Sequence, residues 1–194
     1  MENSDMDNER LCSLCGEPLS RYGNKKIKDG ALCRNCIKPA SPWLSDSDYE
    51  KMSVEDFRKH LEYRNENLKK LDVFKTDKKV EGKYTLYLDE ADKKFLVSKR
   101  KDYKKDNADV FDFDEIKEIS IYEEKYGETD DVDICFDIKL ENKQIDNVFF
   151  RVNEFPGLIR DSKEHKESID LALSYLAAFE EEEDLHFEQV EGEE

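Results

Sequence analysis

Four cysteines form the strongest chemical pattern in this sequence. Cys12, Cys15, Cys33 and Cys36 make two Cys-x2-Cys pairs separated by seventeen residues. Two such pairs, each in a tight turn, supply four thiolates that close a tetrahedron around a zinc ion. Gly16 directly follows the first pair and suits a tight turn. No histidine occurs in the first fifty residues, so the pattern predicts one structural Zn²⁺ without an open position for water.

The same four cysteines allow two alternatives to zinc. Iron bound by four thiolates has the same spacing, so spacing alone does not distinguish the two metals. Disulfide pairing is disfavoured, because residues 1–10 are acidic and polar and do not resemble a secretory signal. The least polar helical run, residues 171–179, is far shorter than the roughly 20 residues of a membrane span. These features predict a cytoplasmic protein in a reducing compartment.

The charge of the chain argues against general binding to nucleic acid or to anionic membranes. The formal net charge is -17, whereas affinity for phosphates requires clustered cations. The cysteine segment is the exception, with a formal charge of +4 between Leu11 and Lys38 that falls to about +2 with zinc and four thiolates. The candidate contacts for nucleic acid or another anion are Arg21, Lys25, Lys26 and Lys28.

A second basic cluster follows a predicted strand further along the chain. Its five cations are Lys99, Arg100, Lys101, Lys104 and Lys105. They are candidate contacts for an anionic lipid headgroup. Asp102 and Asp106 lie within or beside the cluster, so a solvated loop is favoured over membrane binding.

The remaining chain predicts a helix, a sheet and a second helix. Ser53, followed by Glu55 and Asp56, predicts a capped helix from Val54 to about Asp72, with an apolar stripe that Arg64 interrupts. Apolar and polar residues then alternate in five runs. They predict antiparallel strands near residues 84–88, 95–97, 119–121, 132–140 and 148–152. A helix over residues 162–182 then covers a sheet that is buried on one face, which makes the fold α+β.

The sequence offers little for catalysis. His60, His165 and His186 are scattered and are expected at the surface, and Asp112 and Asp114 are expected on the wet side of a strand or turn. Cys135 lies in a predicted strand between acidic neighbours, which disfavour a thiolate, so an inert thiol is expected. The sequence therefore predicts a protein that is not an enzyme.

The N-terminal motifs resemble a known family. The run Leu11-Cys12-Ser13-Leu14-Cys15-Gly16 is followed by Lys28-Asp29-Gly30, Cys33-Arg34-Asn35-Cys36 and Ser41-Pro42-Trp43. Together they resemble bacterial proteins that carry the domain of unknown function 4428, which looks like a treble-cleft or ribbon-type zinc module. The resemblance covers about the first quarter of the chain closely. It implies zinc at the four cysteines and implies no activity.

The later part of the chain is similar to bacterial pleckstrin-homology-like domains, in which seven antiparallel strands precede one C-terminal helix. Five strands are recognised here. The domains expected are an acidic tail (1–10), a zinc ribbon (11–40), a linker with an amphipathic helix (41–76), a pleckstrin-like α+β domain (77–181) and a disordered acidic tail (182–194).

These features predict a noncatalytic zinc-binding adaptor or regulator that binds another protein through the ribbon, the helix or a free sheet edge. Association with nucleic acid through the basic ribbon is the alternative, and binding of anionic lipid through residues 99–105 is third. The identity of the protein partner and the oligomeric state are left open by the sequence.

Overall fold

The computed structural model describes residues 11–180. The two acidic tails predicted at residues 1–10 and 182–194 lie outside this part of the chain. The chain divides into two compact units, Met1–Glu66 and Asn67–Glu194. The predicted α+β class is confirmed, with a cysteine cluster, helices and antiparallel sheets.

The first unit contains a small antiparallel hairpin and short helices. Its elements are β1 (Lys25–Ile27), β2 (Gly30–Leu32), α1 (Arg34–Ile37), α2 (Asp46–Lys51) and the beginning of α3 (Val54–Val73). Its small core combines two of the cysteines with few large apolar side chains. The buried members are Cys12, Ile27, Leu32, Cys33, Ala40, Tyr49 and Phe57.

Two successive helices of this unit begin with the same capping arrangement. In α2, the Ser45 hydroxyl accepts a hydrogen bond from the Asp48 amide (3.2 Å), and the Asp48 carboxylate accepts one from the Ser45 amide (2.8 Å). Ser53 and Asp56 repeat this exchange at the start of α3. The predicted start of α3 is confirmed. The sequence did not predict α2, because six residues are too few to show a helical period.

The buried face of α3 is more polar than the sequence suggested. Arg64, expected to interrupt the apolar stripe, is only 1% exposed, and its Nε donates to the Pro39 carbonyl oxygen at 3.2 Å. His60, expected at the surface, is fully buried, and its Nε2 accepts a hydrogen bond from the Ser41 amide at 3.1 Å. Burial is tolerated because each side chain meets a backbone group that needs a partner.

The second unit contains two antiparallel sheets rather than the single sheet expected. The first sheet joins, in order, β3 (Lys78–Val80), β4 (Thr85–Asp89), β5 (Lys94–Ser98) and β6 (Val110–Asp112). The second joins β7 (Ile116–Lys125), β8 (Val132–Leu140) and β9 (Asn147–Arg151), and helix α4 (Lys163–Glu180) follows. The five predicted strands and the C-terminal helix are present. The strands missed are β3 and β6, whose three residues each are too short to show alternation. The pleckstrin-like assignment stays a prediction.

The first five residues of strand β8 are buried on both faces, whereas one solvent-exposed face was expected along the whole strand. Cys135 is fully buried and Asp133 is 1% exposed. The Asp133 carboxylate accepts hydrogen bonds from Asn153 Nδ2 and the Gly157 amide, both at 2.9 Å, and pairs with Arg151 Nε at 2.8 Å. These partners satisfy the buried charge.

An aromatic cluster packs α4 against the strands. The Phe179 ring meets Phe95 at 5.3 Å between centroids, and the Tyr175 ring meets both Phe136 and Phe150 at 5.5 Å. All five side chains are at most 2% exposed. Edge-to-face pairs of this kind add to the burial of apolar area and hold α4 in place.

The part of α3 that belongs to the second unit is bonded to β6. The Asn67 side chain donates to the Val110 carbonyl oxygen at 2.9 Å and accepts from the Val110 amide at 2.8 Å. The Asn67 side-chain amide thus supplies the two hydrogen bonds that a neighbouring strand would otherwise make with the Val110 backbone. None of the described helices is both long and apolar enough to cross a membrane.

Candidate metal centre

The first cysteine pair lies in a tight turn. The Gly16 amide donates to the Cys12 carbonyl oxygen at 2.8 Å, and Gly16 has a φ of +76°. This left-handed conformation suits glycine, as its position after the pair predicted. The second pair lies at the other end of the hairpin sequence, with Cys33 directly before α1 and Cys36 within it.

The structure brings the four cysteines together. All four Sγ atoms lie within 4.8 Å of one another. The distance is 3.8 Å between the Sγ atoms of Cys12 and Cys36, and 3.7 Å between those of Cys15 and Cys33. A zinc ion with bonds of about 2.3 Å to sulfur has tetrahedral edges of about 3.8 Å. Both distances fit such a site and far exceed the roughly 2.05 Å of a disulfide bond.

Ser13 ties the first pair to the hairpin. Its amide donates to the Ala31 carbonyl oxygen at 2.8 Å, and its Oγ accepts from the Ala31 amide at 3.1 Å. A Cβ atom added at Gly30 would lie 2.0 Å from the Ser13 Oγ. No sequence pattern predicted a role for Ser13, because that role depends on a strand eighteen residues away.

The electrostatics of the cluster favour a bound cation. Burial opposes ionisation of Cys12, but hydrogen bonds from the backbone of Cys15, Cys33 and Leu14 outweigh it and lower the pKa of Cys12 to about 6. Burial and the neighbouring cysteines raise the pKa of Cys36. Four thiolates at these distances repel one another unless a metal ion lies between them, and a coordinating thiol is deprotonated outright.

One comparison with known proteins found a match for the segment that contains the four cysteines. Residues 10–60 match the family model of a domain of unknown function, DUF4428. We call this matched segment, residues 10–60, the DUF4428 domain. No curated protein and no solved structure matches the chain. The family predicted from the cysteine motifs is therefore confirmed for this segment. The segment contains four clustered cysteines that could bind a metal ion such as zinc.

Two of the lysines predicted as anion contacts lie beside acids. Lys25 is ion-paired with Asp46, and Lys26 lies 3.9 Å from Glu50. Lys28 bonds through its backbone amide to the Met52 carbonyl oxygen. Cations that already face acids have less to offer to phosphate groups.

Arg21 differs from these lysines. Its guanidinium lies 5.3 Å from the centroid of the Tyr22 ring, and Tyr22 is 73% exposed. An arginine stacked on an exposed aromatic ring is a frequent feature of binding surfaces. Arg21 is thus a predicted anion contact that lies over an exposed aromatic ring.

In the second unit, the cations of residues 99–105 lie in a loop that contains internal ion pairs and hydrogen bonds. Arg100 pairs with Asp106 at 3.4 Å and Lys105 pairs with Asp102 at 2.9 Å. The Asp106 carboxylate also accepts from Ser98 Oγ (2.7 Å) and from the Lys99 amide (2.8 Å). Arg100 and Lys105 thus face acids of their own loop, and the lipid contact of residues 99–105 stays a prediction.

His165 lies in a polar contact that the sequence did not predict. It is 5% exposed rather than at the surface, and its Nε2 lies 2.8 Å from a Glu123 carboxylate oxygen. Arg160 pairs with the other oxygen of Glu123 at 2.9 Å.

Asp112, one of the two carboxylates expected to be exposed to solvent, is half-buried and pairs with Lys70 at 2.6 Å. His186 lies outside the described residues.

Proposed function

We propose that this protein is a noncatalytic zinc-binding adaptor or regulator of the cytoplasm that acts by binding another protein. The observation that carries the proposal is the cluster of four Sγ atoms. Those of Cys12 and Cys36 are 3.8 Å apart, and those of Cys15 and Cys33 are 3.7 Å apart. A metal held by four protein thiolates keeps no position for a substrate or a catalytic water. Its contribution is then to folding.

Folding energy is what this segment needs. The core of the DUF4428 domain has few large apolar side chains, with Ile27, Leu32 and Phe57 among the most buried. Binding of a structural zinc ion contributes about 10–16 kcal/mol in small zinc modules. Such a metal stabilises the turns and leaves the surrounding surface to bind a partner. Free thiols suit a reducing compartment.

The test begins with metal content and its dependence on the cluster. The full chain is expected to contain about one zinc per molecule by elemental analysis. Cys15→Ser removes an exposed ligand without leaving a buried cavity, and it is expected to abolish metal binding. Cys135→Ala is the matched control, because Cys135 lies in β8 outside the cluster, and it is expected to retain the metal. Bound iron, visible as strong colour, would contradict zinc.

The second stage tests partner binding. Wild-type protein, Cys15→Ser and Cys135→Ala are used as baits in native cells, and the captured proteins are identified by mass spectrometry. A partner retained by wild type and Cys135→Ala and lost from Cys15→Ser would support an adaptor. Identical captures from all three baits would contradict a role of the zinc module in binding.

Association with nucleic acid is the second candidate, and the exposed Tyr22 beside Arg21 is the observation in its favour. A base can stack on such a ring while the guanidinium meets a phosphate. The pairing of Lys25 and Lys26 with acids weighs against it. Binding to single-stranded oligonucleotides that falls steeply with salt would support this candidate over the first.

A further inference from the structure

A cleft of ≈ 580 Å³ opens beside the metal centre, within the first unit. Its lining includes the metal ligand Cys33 together with Arg21, Tyr22, Arg34 and Asn35. The two arginines come from separate segments, one before β1 and one at the start of α1. The cleft therefore combines two cationic forks and an aromatic ring.

These two arginines are available for a ligand. Among residues 11–180, neither Arg21 nor Arg34 faces a carboxylate in an ion pair, whereas Lys25 and Lys26 do. An arginine without an acid partner keeps its planar set of N–H donors for a carboxylate or phosphate.

The loop that carries Arg21 is held in place by its own hydrogen bonds. Ser20 Oγ donates to the Tyr22 carbonyl oxygen at 2.6 Å, and the Asn24 side chain donates to the Ser20 carbonyl oxygen. Gly23, with a φ of +80°, lies against the stem of Arg34, since an added Cβ would be 3.5 Å from the Arg34 Cδ. A loop ordered in advance loses less entropy when it binds.

We propose that this cleft binds a peptide segment that presents a single carboxylate next to an aromatic or apolar side chain. Arg21 and Arg34 donate to the carboxylate, and the Tyr22 ring packs against the neighbouring side chain. The proposal rests on the proposed function and names the chemistry of the partner. One carboxylate fits better than an acidic run, because Glu17 also lines the cleft and the whole chain carries a net charge of -17.

The same charges favour a peptide over nucleic acid. A polyanion gains its affinity from several phosphate contacts at once. The cleft offers two arginines, whereas Lys25 is paired with Asp46 and the Lys26 nitrogen lies 3.9 Å from a Glu50 carboxylate oxygen. A single carboxylate needs no further cations.

The test uses two short blocked peptides, acetyl-Gly-Phe-Glu-Gly-amide and its Gln counterpart, titrated into the ¹⁵N-labelled, zinc-loaded full chain. The Glu peptide is expected to shift the amide signals of Arg21, Tyr22, Arg34 and Asn35, and to bind at least tenfold more tightly than the Gln peptide. The double variant Arg21→Ala with Arg34→Ala is expected to lose at least tenfold in affinity. Lys26→Ala, which removes a paired cation outside the cleft lining, is the matched control and is expected to change affinity less than twofold.

Zinc content is measured for each variant, and Arg21→Gln and Arg34→Gln alone replace the double variant if it loses metal. No shifts at the cleft, equal binding of the Glu and Gln peptides, or unchanged binding by the arginine variants would overturn the proposal. A ten-nucleotide oligothymidine is titrated in the same way. If it shifts the signals of the same residues and the peptides do not, the cleft binds nucleic acid and the peptide proposal is overturned. If the bait experiments still yield a zinc-dependent partner, the failure concerns the cleft and not the proposed function.

Discussion

The Nε of Arg64 donates a hydrogen bond to the carbonyl oxygen of Pro39, at 3.2 Å and twenty-five residues away in the sequence. The guanidinium is buried at this point, with Arg64 only 1% exposed. One side chain of α3 therefore binds the segment that directly follows the second cysteine pair. We expect the stability of the first unit to depend on this contact.

Replacement of Arg64 by methionine is expected to lower the free energy of unfolding of the first unit by about 1–3 kcal/mol. Methionine keeps most of the buried stem but leaves the Pro39 carbonyl oxygen without this donor. Trp43, the single tryptophan of the chain, is half-buried in the same unit and reports its unfolding by fluorescence. Arg58→Met is the control, because Arg58 forms an exposed pair with Glu55 that contributes little. Equal effects of the two substitutions would contradict the role of Arg64.

Removal of the metal is expected to unfold the first unit and to leave the second folded. The second unit has its own core, which includes Phe95, Phe136 and Tyr175, whereas the first is expected to depend on a bound metal ion. Chelation followed by nuclear magnetic resonance should collapse the amide signals of β1 and β2 while those of β4, β5 and β8 persist. Added zinc should restore the lost signals. Persistence of the β1 and β2 signals after metal loss would show that the apolar core is sufficient.

Gly30→Ala is expected to weaken metal binding by at least tenfold. The added Cβ would lie 2.0 Å from Ser13 Oγ, so the hydrogen bond from the Ala31 amide to that oxygen must break. Ser13→Ala in the same chain removes the colliding oxygen and is expected to recover part of the affinity. The measurement is competition for zinc with a chelator.

Gly16→Ala is the comparison for that substitution. Gly16 has a positive φ of +76° but no atom within 4 Å of an added Cβ, so only conformational strain of about 1 kcal/mol is expected. If Ser13→Ala fails to improve zinc binding by Gly30→Ala, the collision at Ser13 is not the cause.

Asn67→Leu is expected to destabilise the second unit by about 2–6 kcal/mol. Both backbone groups of Val110 lose their partner, and each buried polar group left unsatisfied costs about 1–3 kcal/mol. Hydrogen exchange of the Val110 amide should accelerate accordingly. Lys70→Ala, which removes an ion pair of the same helix with Asp112, is expected to change stability by less than about 1 kcal/mol, because both partners are partly exposed. Slow exchange of Val110 in Asn67→Leu would contradict the prediction.

Cys135 is expected to resist alkylation in the folded protein at pH 8. Burial, and then the charges of Glu124 and Asp133, raise its pKa to about 12. Because the thiol stays neutral in the fold, its contribution to stability is complete below the unfolded pKa near 9.0 and is lost as pH rises towards about 12. Iodoacetamide labelling, located by peptide mass spectrometry, should modify Cys135 only after denaturation. Rapid labelling of the native chain would show an accessible thiolate instead.

The sequence by itself determined the four metal-ligand candidates and much of the secondary structure. The Cys-x2-Cys spacing and Gly16 are local patterns, because a turn and its ligands lie within a few residues of each other. The alternation of β8 and the cap at Ser53 are local in the same sense. Very short elements such as β3, β6 and α2 were not predicted, because three to six residues are too few to show a helical or strand period.

Only the tertiary structure decided which polar residues are buried and which cations are free. Arg64 and Asp133 are charged, yet both are buried, because partners distant in sequence reach them, as Pro39 and Asn153 do. Lys25 forms an ion pair with Asp46, twenty-one residues away, whereas Arg21 lines the cleft. The free energy of a charged group depends on the atoms that surround it, and these come from segments that the fold alone brings together.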